Sequence, residues 1–173
     1  MKSTTPCLRY LLVFVLSSGA ASGCFADTGE RQVVGWLERV ALTDHGAIFE
    51  AKVDTGADTS SVHAENIRHF LRDDRQWVEF TLHDRAGRSY TLQRPLERIA
   101  RIKKKTKGNQ ERPVVILKVC VGKQRRSVEV NLSQRAHFRF PVLLGRNFLS
   151  GHYVVDAGAT YLLPPACPSL VTQ

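Results

Sequence analysis

The chain has 173 residues, which leaves room for one hydrophobic core and excludes two ordinary domains. Hydrophobic residues make up 43% and charged residues 24% of it, which is typical of a soluble globular protein and excludes disordered, fibrous and multi-span membrane proteins. The net charge of +9 raises the question of an acidic partner such as nucleic acid.

The first 26 residues have the layout of a secretory signal peptide. Lys2 and Arg9 form a positive region, an apolar stretch follows, and small residues lead to Ala26. Cleavage fits either after Ala26 or, as in a lipoprotein, before Cys24. We expect an exported, periplasmic protein that is soluble or lipid-anchored, with membrane contact only through a lipid on Cys24. An uncleaved membrane anchor is the alternative. Cleavage after Ala26 removes two basic residues and no acid, so the net charge falls from +9 to +7.

Two cysteines, Cys120 and Cys167, remain in the mature chain. In an oxidising compartment they are available for one disulfide. Cys120 also lies within an apolar stretch, where a buried free thiol is an equally good interpretation. The sequence leaves both interpretations open.

Short apolar stretches dominate the rest of the chain, and several alternate apolar and polar residues with the period of a β-strand. Turn-forming residues separate them, so we predict an all-β fold, either a small, mostly antiparallel barrel or a sandwich. The predicted strands are 31–42, 47–53, 77–83, 89–93, 114–121, 127–132, 142–144 and 153–155. Helix is predicted only at Ala64–Leu71 and Arg146–Leu149. We place the folded domain at residues 31–163 and a C-terminal tail at 164–173.

The most informative segment, Ala51–Asp58, runs from an apolar strand into Asp54, Thr55 and Gly56. An aspartic protease presents its carboxylate on such a loop. Asp54 would polarise a water, Gly56 would let a second backbone approach the carboxylate, and the Thr55 hydroxyl would join two such loops. Taken alone, Asp-Thr-Gly is also a good turn sequence, so a hairpin turn is the alternative.

A second segment, Pro141–Leu149, favours the protease because two apolar residues and a glycine lead into Arg146 and Asn147 before a short predicted helix. Together the two segments resemble the retropepsin-type aspartic proteases. The match is to exported bacterial members with a single Asp-Thr-Gly, which have carried the label ATP-dependent zinc protease. The resemblance covers about residues 33–163. It implies a small closed β-barrel with one or two short helices and an active site at a homodimer interface.

The residues do not support the cofactors in that label. The sequence contains no Gly-x-x-x-x-Gly-Lys-Ser/Thr loop for ATP and no His-Glu-x-x-His for zinc. The six histidines show no metal-ligand spacing, and we interpret them as turn or surface residues. We therefore expect no cofactor and no metal.

An aspartic protease needs two carboxylates, one acting as general base on a water and one as acid toward the scissile carbonyl. This chain has one Asp-Thr-Gly. The other candidate, Asp156 in Asp-Ala-Gly, lacks the hydroxyl and is interpreted as a turn residue that ends a strand. The second carboxylate of this aspartic endopeptidase is therefore predicted to be Asp54 of another subunit in a homodimer. The length agrees, because about 147 mature residues build one lobe.

The resemblance also gives roles to neighbouring residues. Asp58 and Arg146 correspond to the family's structural ion pair beneath the active site, and two unrelated surface charges are the alternative. Ala57 stands where many aspartic proteases carry Ser or Thr. Loss of that hydroxyl donor predicts activity at a less acidic pH than pepsin-like enzymes have.

Retropepsins close a β-hairpin flap over the substrate. The candidate here is Arg98–Arg112, with Ile99–Lys103 as its rising strand and Val114–Cys120 as the descending strand. Its basic residues would attract an acidic or Glu-rich peptide, consistent with the link between bacterial relatives and glutamate-adding ligases. A solvated basic loop is the alternative. The candidate flap residues are Arg101, Lys103, Lys104, Lys105 and Lys107.

Two other functions fit part of the sequence. A nucleic-acid-binding barrel would explain the charge, but only Tyr90 and Phe138 among the aromatic residues lie near basic clusters, too few for a stacking surface. We therefore expect no nucleic-acid partner. A catalytically inactive, exported peptide-binding module of retropepsin fold is the more serious alternative, although the intact Asp54-Thr55-Gly56 favours catalysis.

Overall fold

The computed structural model describes residues 30–42, 46–103, 109–134 and 138–167. The predicted signal peptide with Cys24, the end of the predicted tail, and Lys104, Lys105 and Lys107 of the predicted flap lie outside these ranges. Within them the chain forms eleven strands and one four-residue helix. The predicted all-β fold is confirmed.

Valine and other branched or aromatic residues, which favour extended backbone, are frequent in the longer strands. In chain order the strands are β1 (Gln32–Leu42), β2 (Ala47–Val53), β3 (Ser60–His63), β4 (Glu65–Arg72), β5 (Arg75–His83), β6 (Ser89–Pro95), β7 (Arg98–Lys103), β8 (Asn109–Val121), β9 (Gln124–Ser133), β10 (Val142–Leu144) and β11 (Tyr153–Thr160). Helix α1 (Arg146–Leu149) lies where the sequence predicts it.

Six strands form a closed ring in the order β1, β2, β10, β3, β9, β8 and back to β1. Pairing of β8 with Ala41 and Leu42 closes the ring. Inward-facing residues alternate along the strands and fill the centre with fully buried side chains such as Phe49, Leu117 and Leu132. Two strands extend the sheet beyond the ring: β11 runs parallel to β1, and β7 pairs with β8. The small closed barrel is therefore confirmed.

The predicted helix at Ala64–Leu71 is wrong. These residues lie largely in β4, an edge strand of a separate three-stranded antiparallel sheet with β5 and β6. Asp73 and Asp74, whose φ angles are 49° and 57°, make the tight turn from β4 to β5. β5 packs the fully buried Phe80 into the core cluster of the barrel. Pairing with β5 therefore overrides the helical pattern of β4.

The clearest differences from the predicted strands are in β3, β8 and β11. β3 is not predicted because it is short and its sequence does not alternate, yet β10 and β9 hold it on both sides. β8 begins early, because its pairing with β7 extends to Asn109 opposite Lys103. β11 continues past Asp156, since Thr160 pairs with Leu37 after a register shift. The interpretation of Asp156 as the end of a strand is therefore wrong.

The residues that follow β11 are attached to the barrel. Cys120 and Cys167 form a disulfide, so the free-thiol interpretation is wrong. The fully buried carboxylate of Glu38 accepts hydrogen bonds from the backbone N–H groups of Leu162 at 3.0 Å and Leu163 at 3.2 Å. These contacts hold the end of the domain, including the first residues of the predicted tail, against β1 and β8.

Candidate active site

Asp54 is the first residue after β2, at the point where β2 and β10 run side by side in parallel. Its backbone N–H donates to the carbonyl oxygen of Leu144 at 2.9 Å, which fixes the start of the loop. The Gly56 N–H donates to Oδ1 of Asp54 at 3.0 Å, so one carboxylate oxygen is held in place. The Asp54 side chain is 30% exposed, which leaves it accessible to a water and a peptide.

Arg146 of helix α1 holds the loop that carries Asp54. Its guanidinium forms an ion pair with Asp58, and its Nη1 donates to the carbonyl oxygen of Thr55 at 2.9 Å. Its backbone N–H donates to the carbonyl oxygen of Ala57 at 2.8 Å. One residue therefore contacts the loop at three points. The methyl side chain of Ala57 supplies no hydrogen-bond donor.

Gly145 permits helix α1 to approach the loop this closely. A Cβ atom at this position would lie 2.8 Å from the carbonyl carbon of Thr59 and 2.9 Å from the carbonyl oxygen of Ala57. Real Cβ atoms do not approach backbone so closely, so any larger residue would push the helix away. The glycine of the second motif is thus explained by packing.

Two polar side chains that the sequence analysis does not assign, Ser60 and Asn147, connect the same elements. Oδ1 of Asn147 accepts hydrogen bonds from the Ser60 N–H at 2.9 Å and the Ser60 hydroxyl at 2.8 Å. Its Nδ2 donates to the carbonyl oxygen of Glu129 at 2.8 Å. The only sequence signal for this network is the position of Asn147 inside the second motif.

Lys52 is a further residue at the site that the sequence analysis does not assign. Its Nζ lies 4.0 Å from Oδ2 of Asp54, and its side chain is 48% exposed. Side chains at paired positions of neighbouring strands lie on the same face of a sheet. Lys52 is the first of a row of such paired positions that runs across the outer face of the barrel. This outer row consists of Lys52, Leu143, Ser61, Asn131, Val114 and Arg98.

A cavity of about 670 Å³ lies along the outer row, between the Asp54 loop and the β7–β8 hairpin. The loop contributes Ala57, Asp58 and Thr59 to its lining, and the hairpin contributes residues of both strands. The described parts of the segment predicted as a flap therefore belong to two antiparallel strands, β7 and β8, beside the loop. Of the candidate flap residues, Arg101 lines the cavity. Lys103 lies at the end of β7, and the other three lie outside the described residues.

Three arginines line the cavity, and two of them have carboxylate partners. Nη2 of Arg98 donates to Glu129 at 2.6 Å, and this hydrogen bond raises the pKa of Arg98. Nε of Arg101 donates to Glu111 at 3.3 Å in an exposed pair. Arg112 is the exception, because no carboxylate in the described part of the chain forms an ion pair with it. Its positive charge therefore has no described carboxylate in direct contact, although Asp58, the partner of Arg146, also lines the cavity.

Within the ranges that the structure covers, no three His, Cys, Asp or Glu side chains lie close enough together to bind one metal ion. No helix in the same ranges is long and apolar enough to span a membrane.

Comparisons with known proteins agree with this geometry. Residues 33–166 match the RimB-like family model, whose description is "Retropepsin-like aspartic endopeptidase RimB". A solved structure of a protein of unknown function from Legionella pneumophila is 30% identical, with a TM-score of 0.66. The match covers 77% of this chain and 98% of that one.

Curated relatives are named probable alpha-L-glutamate ligase. The protein from Desulfotalea psychrophila is 35% identical over 131 residues, which is 73% of this chain and 28% of that protein. The protein from Shewanella pealeana is 35% identical over 118 residues, which is 66% of this chain and 26% of that protein. The chain therefore corresponds to less than a third of the length of these relatives. By the family match and the site geometry, the chain belongs to the RimB-like family of retropepsin-like aspartic endopeptidases.

Proposed function

We propose that the protein is an aspartic endopeptidase that hydrolyses peptide bonds with two Asp54 carboxylates, one from each subunit of a homodimer. The observation that carries this proposal is the carboxylate of Asp54, held by the Gly56 N–H yet 30% exposed, on a loop that borders a cavity of about 670 Å³. Family membership supports the same chemistry.

In this mechanism the two carboxylates lie about 3 Å apart and share one proton, because both cannot be ionised at that separation. The ionised carboxylate takes a proton from a water as the water attacks the scissile carbonyl carbon. The protonated carboxylate donates its proton to the carbonyl oxygen. The tetrahedral species then collapses. The carboxyl that took the water proton passes it to the leaving nitrogen, and the hydroxyl that becomes the carbonyl returns a proton to the other carboxylate. The Gly56 N–H keeps one Asp54 oxygen oriented throughout.

The homodimer follows from the need for a second carboxylate. Asp156 belongs to β11, which is separated from β2 by β1. The backbones of β11 and β2 are therefore two strand spacings, about 10 Å, apart. A dyad needs carboxylates at about 3 Å, so Asp54 of a second subunit is the better partner.

We propose acidic or Glu-rich peptides as substrates and the periplasm as the location. Of the three arginines that line the cavity, Arg112 has no ion pair with a described carboxylate, which favours an anionic side chain of the substrate. Relatives that contain a region similar to this chain are named for glutamate ligation, which supports glutamate peptides as the class. The disulfide supports an oxidising compartment, so an exported protein is consistent with it.

The test compares purified wild-type protein with its Asp54→Asn variant on a peptide library that includes Glu-rich sequences. We expect cleavage by the wild-type protein alone, and a dimer by sedimentation. Equal cleavage by both proteins would contradict the assignment of Asp54. Binding without cleavage by either would favour the inactive peptide-binding module instead.

A further inference from the structure

Asn131 lies in the wall of the cavity and carries a buried acceptor without a hydrogen-bond partner in the described residues. The residue is 6% exposed, it lines the cavity, and its Oδ1 has no hydrogen-bond partner among the described residues. Buried acceptors are almost always paired, because an unpaired one loses its hydrogen bonds to water without replacement. A donor supplied by a ligand would satisfy this oxygen.

Arg112 presents a cation to the same cavity. Its Nη2 donates to the neutral Oε1 of Gln110 at 2.9 Å, and no ion pair with a described carboxylate accompanies it. Burial lowers the pKa of the Arg112 guanidinium, which reflects its partial removal from water. A guanidinium in such a place binds an incoming anion more strongly than an exposed one does.

The sheet register brings the two groups together. Asn131 pairs with Val114, and Arg112 lies two residues before Val114 on the same face of β8. Diagonal neighbours of this kind have Cα atoms about 7–8 Å apart, which is within reach of one substrate residue. The acceptor and the cation therefore lie side by side in the cavity.

We propose that Arg112 and Asn131 form a binding site for a carboxylate of the peptide substrate. The guanidinium of Arg112 receives the carboxylate, and Oδ1 of Asn131 accepts a backbone N–H of the substrate. The carboxylate is either an acidic side chain or the C-terminal α-carboxylate of the peptide. This inference rests on the proposed function, since it assigns the specificity of the same site.

The position of the site relates it to the scissile bond. Three strand spacings, about 14 Å, separate β2, which Asp54 follows, from β9, which carries Asn131. An extended peptide covers about 3.3 Å per residue, and a glutamate side chain adds about 4 Å. A carboxylate about three residues from the scissile bond would therefore reach β9, and Arg112 lies on the next strand, β8.

The experiment measures binding with the full chain carrying Asp54→Asn, so that catalysis is not required. The probes are three fluorescein-labelled peptides: hexaglutamate, hexaglutamate with an amidated C-terminus, and hexaglutamine. In this background we expect Arg112→Gln to weaken hexaglutamate binding about tenfold or more and to leave hexaglutamine binding within about twofold. Asn131→Asp, which keeps the shape but pairs with Arg112, should have the same selective effect.

The matched control is Arg94→Gln, which removes the same charge from β6, outside this cavity. It should change hexaglutamate binding less than about twofold at 150 mM salt. An Arg112 effect confined to the peptide with a free C-terminus would assign the site to the α-carboxylate, and an effect on both hexaglutamates would assign it to a side chain. Thermal unfolding of each variant shows whether the fold is retained.

Two results would overturn the inference: hexaglutamate that does not bind measurably, or equal weakening by Arg112→Gln and Arg94→Gln. The outcome is separable from that of the proposed function. If the wild-type protein cleaves peptides through Asp54 but Arg112→Gln binds normally, only the inference fails. If Arg112 governs binding but no peptide is cleaved, only the proposed endopeptidase activity fails.

Discussion

Two Asp-x-Gly segments of this chain share one local hydrogen bond. In the first, the Gly56 N–H donates to Oδ1 of Asp54 at 3.0 Å, and in the second the Gly158 N–H donates to Oδ1 of Asp156 at 2.8 Å. A Cβ atom on Gly56 would lie 3.2 Å from Oδ1 of Asp54, and a Cβ atom on Gly158 would lie 3.3 Å from Oδ1 of Asp156. Both aspartates therefore accept the same local backbone hydrogen bond, although Asp54 follows a strand and Asp156 lies within β11.

Their surroundings differ. Asp54 follows β2, which is one of the six strands of the ring. Its N–H donates to the carbonyl oxygen of Leu144, and Arg146 donates to the carbonyl oxygen of the next residue, Thr55. Asp156 is exposed on edge strand β11, which pairs with β1 alone. The Asp-x-Gly sequence therefore determines the local hydrogen bond. Contacts from β10 and α1 make the Asp54 loop a candidate active site.

The largest expected effect separates the two aspartates. Asp54→Asn should lower kcat about 10³-fold, because it removes the acid–base group while it keeps the shape. Asp156→Asn should leave kcat/KM within about twofold. Steady-state kinetics on a peptide selected from the library measures both. Comparable losses of kcat in the two variants would show that the local hydrogen bond, rather than its surroundings, determines the catalytic role of an aspartate.

The disulfide tests whether the segment that follows β11 has a structural role. Replacing Cys120 and Cys167 with alanine should lower the free energy of unfolding by about 2–4 kcal/mol, because the crosslink joins residues 47 positions apart. Chemical denaturation measures this loss, and reduced wild-type protein is the control. Activity per folded subunit should change little, since the disulfide does not contact the Asp54 loop. An unchanged free energy of unfolding would contradict this account of the segment.

The two glycines provide a matched pair of substitutions. In Gly56→Ala the new methyl should displace Oδ1 of Asp54 by a few tenths of an ångström and lower kcat about tenfold or more. Gly158→Ala makes the same local change beside Asp156 and should leave kcat unaltered. Equal kinetics in the two variants would count against a precise requirement for the Asp54 oxygen.

The smallest expected effect concerns Arg146. Arg146→Lys keeps the charge but loses the planar guanidinium, whose nitrogens contact both Asp58 and Thr55. We therefore expect kcat to fall about fivefold. The pair is largely exposed, so the free energy of unfolding should change by less than about 1 kcal/mol. Arg85→Lys, at the ion pair with Glu50, is the control and should leave kcat unchanged.

Much of the fold could be predicted from the sequence because β1, β2, β5 and β8 carry strong apolar patterns. β4 and β3 could not, since β4 is an exposed edge strand held by β5, and β3 is held by its neighbours and by Ser60 contacts with Asn147. At the site, Asp54 and Arg146 stand in recognisable motifs. Arg112 and Asn131 do not, because only the pairing of β7, β8 and β9 brings them beside the loop.

The central claim is that one active centre contains Asp54 from two subunits, and subunit mixing tests it most directly. Wild-type and Asp54→Asn subunits are mixed in equal amounts, allowed to exchange, and assayed at a fixed total concentration. If each centre needs two intact Asp54 carboxylates, activity should fall to about one quarter of that of the wild-type protein, because only a quarter of random dimers have both. A fall to one half would contradict the shared dyad.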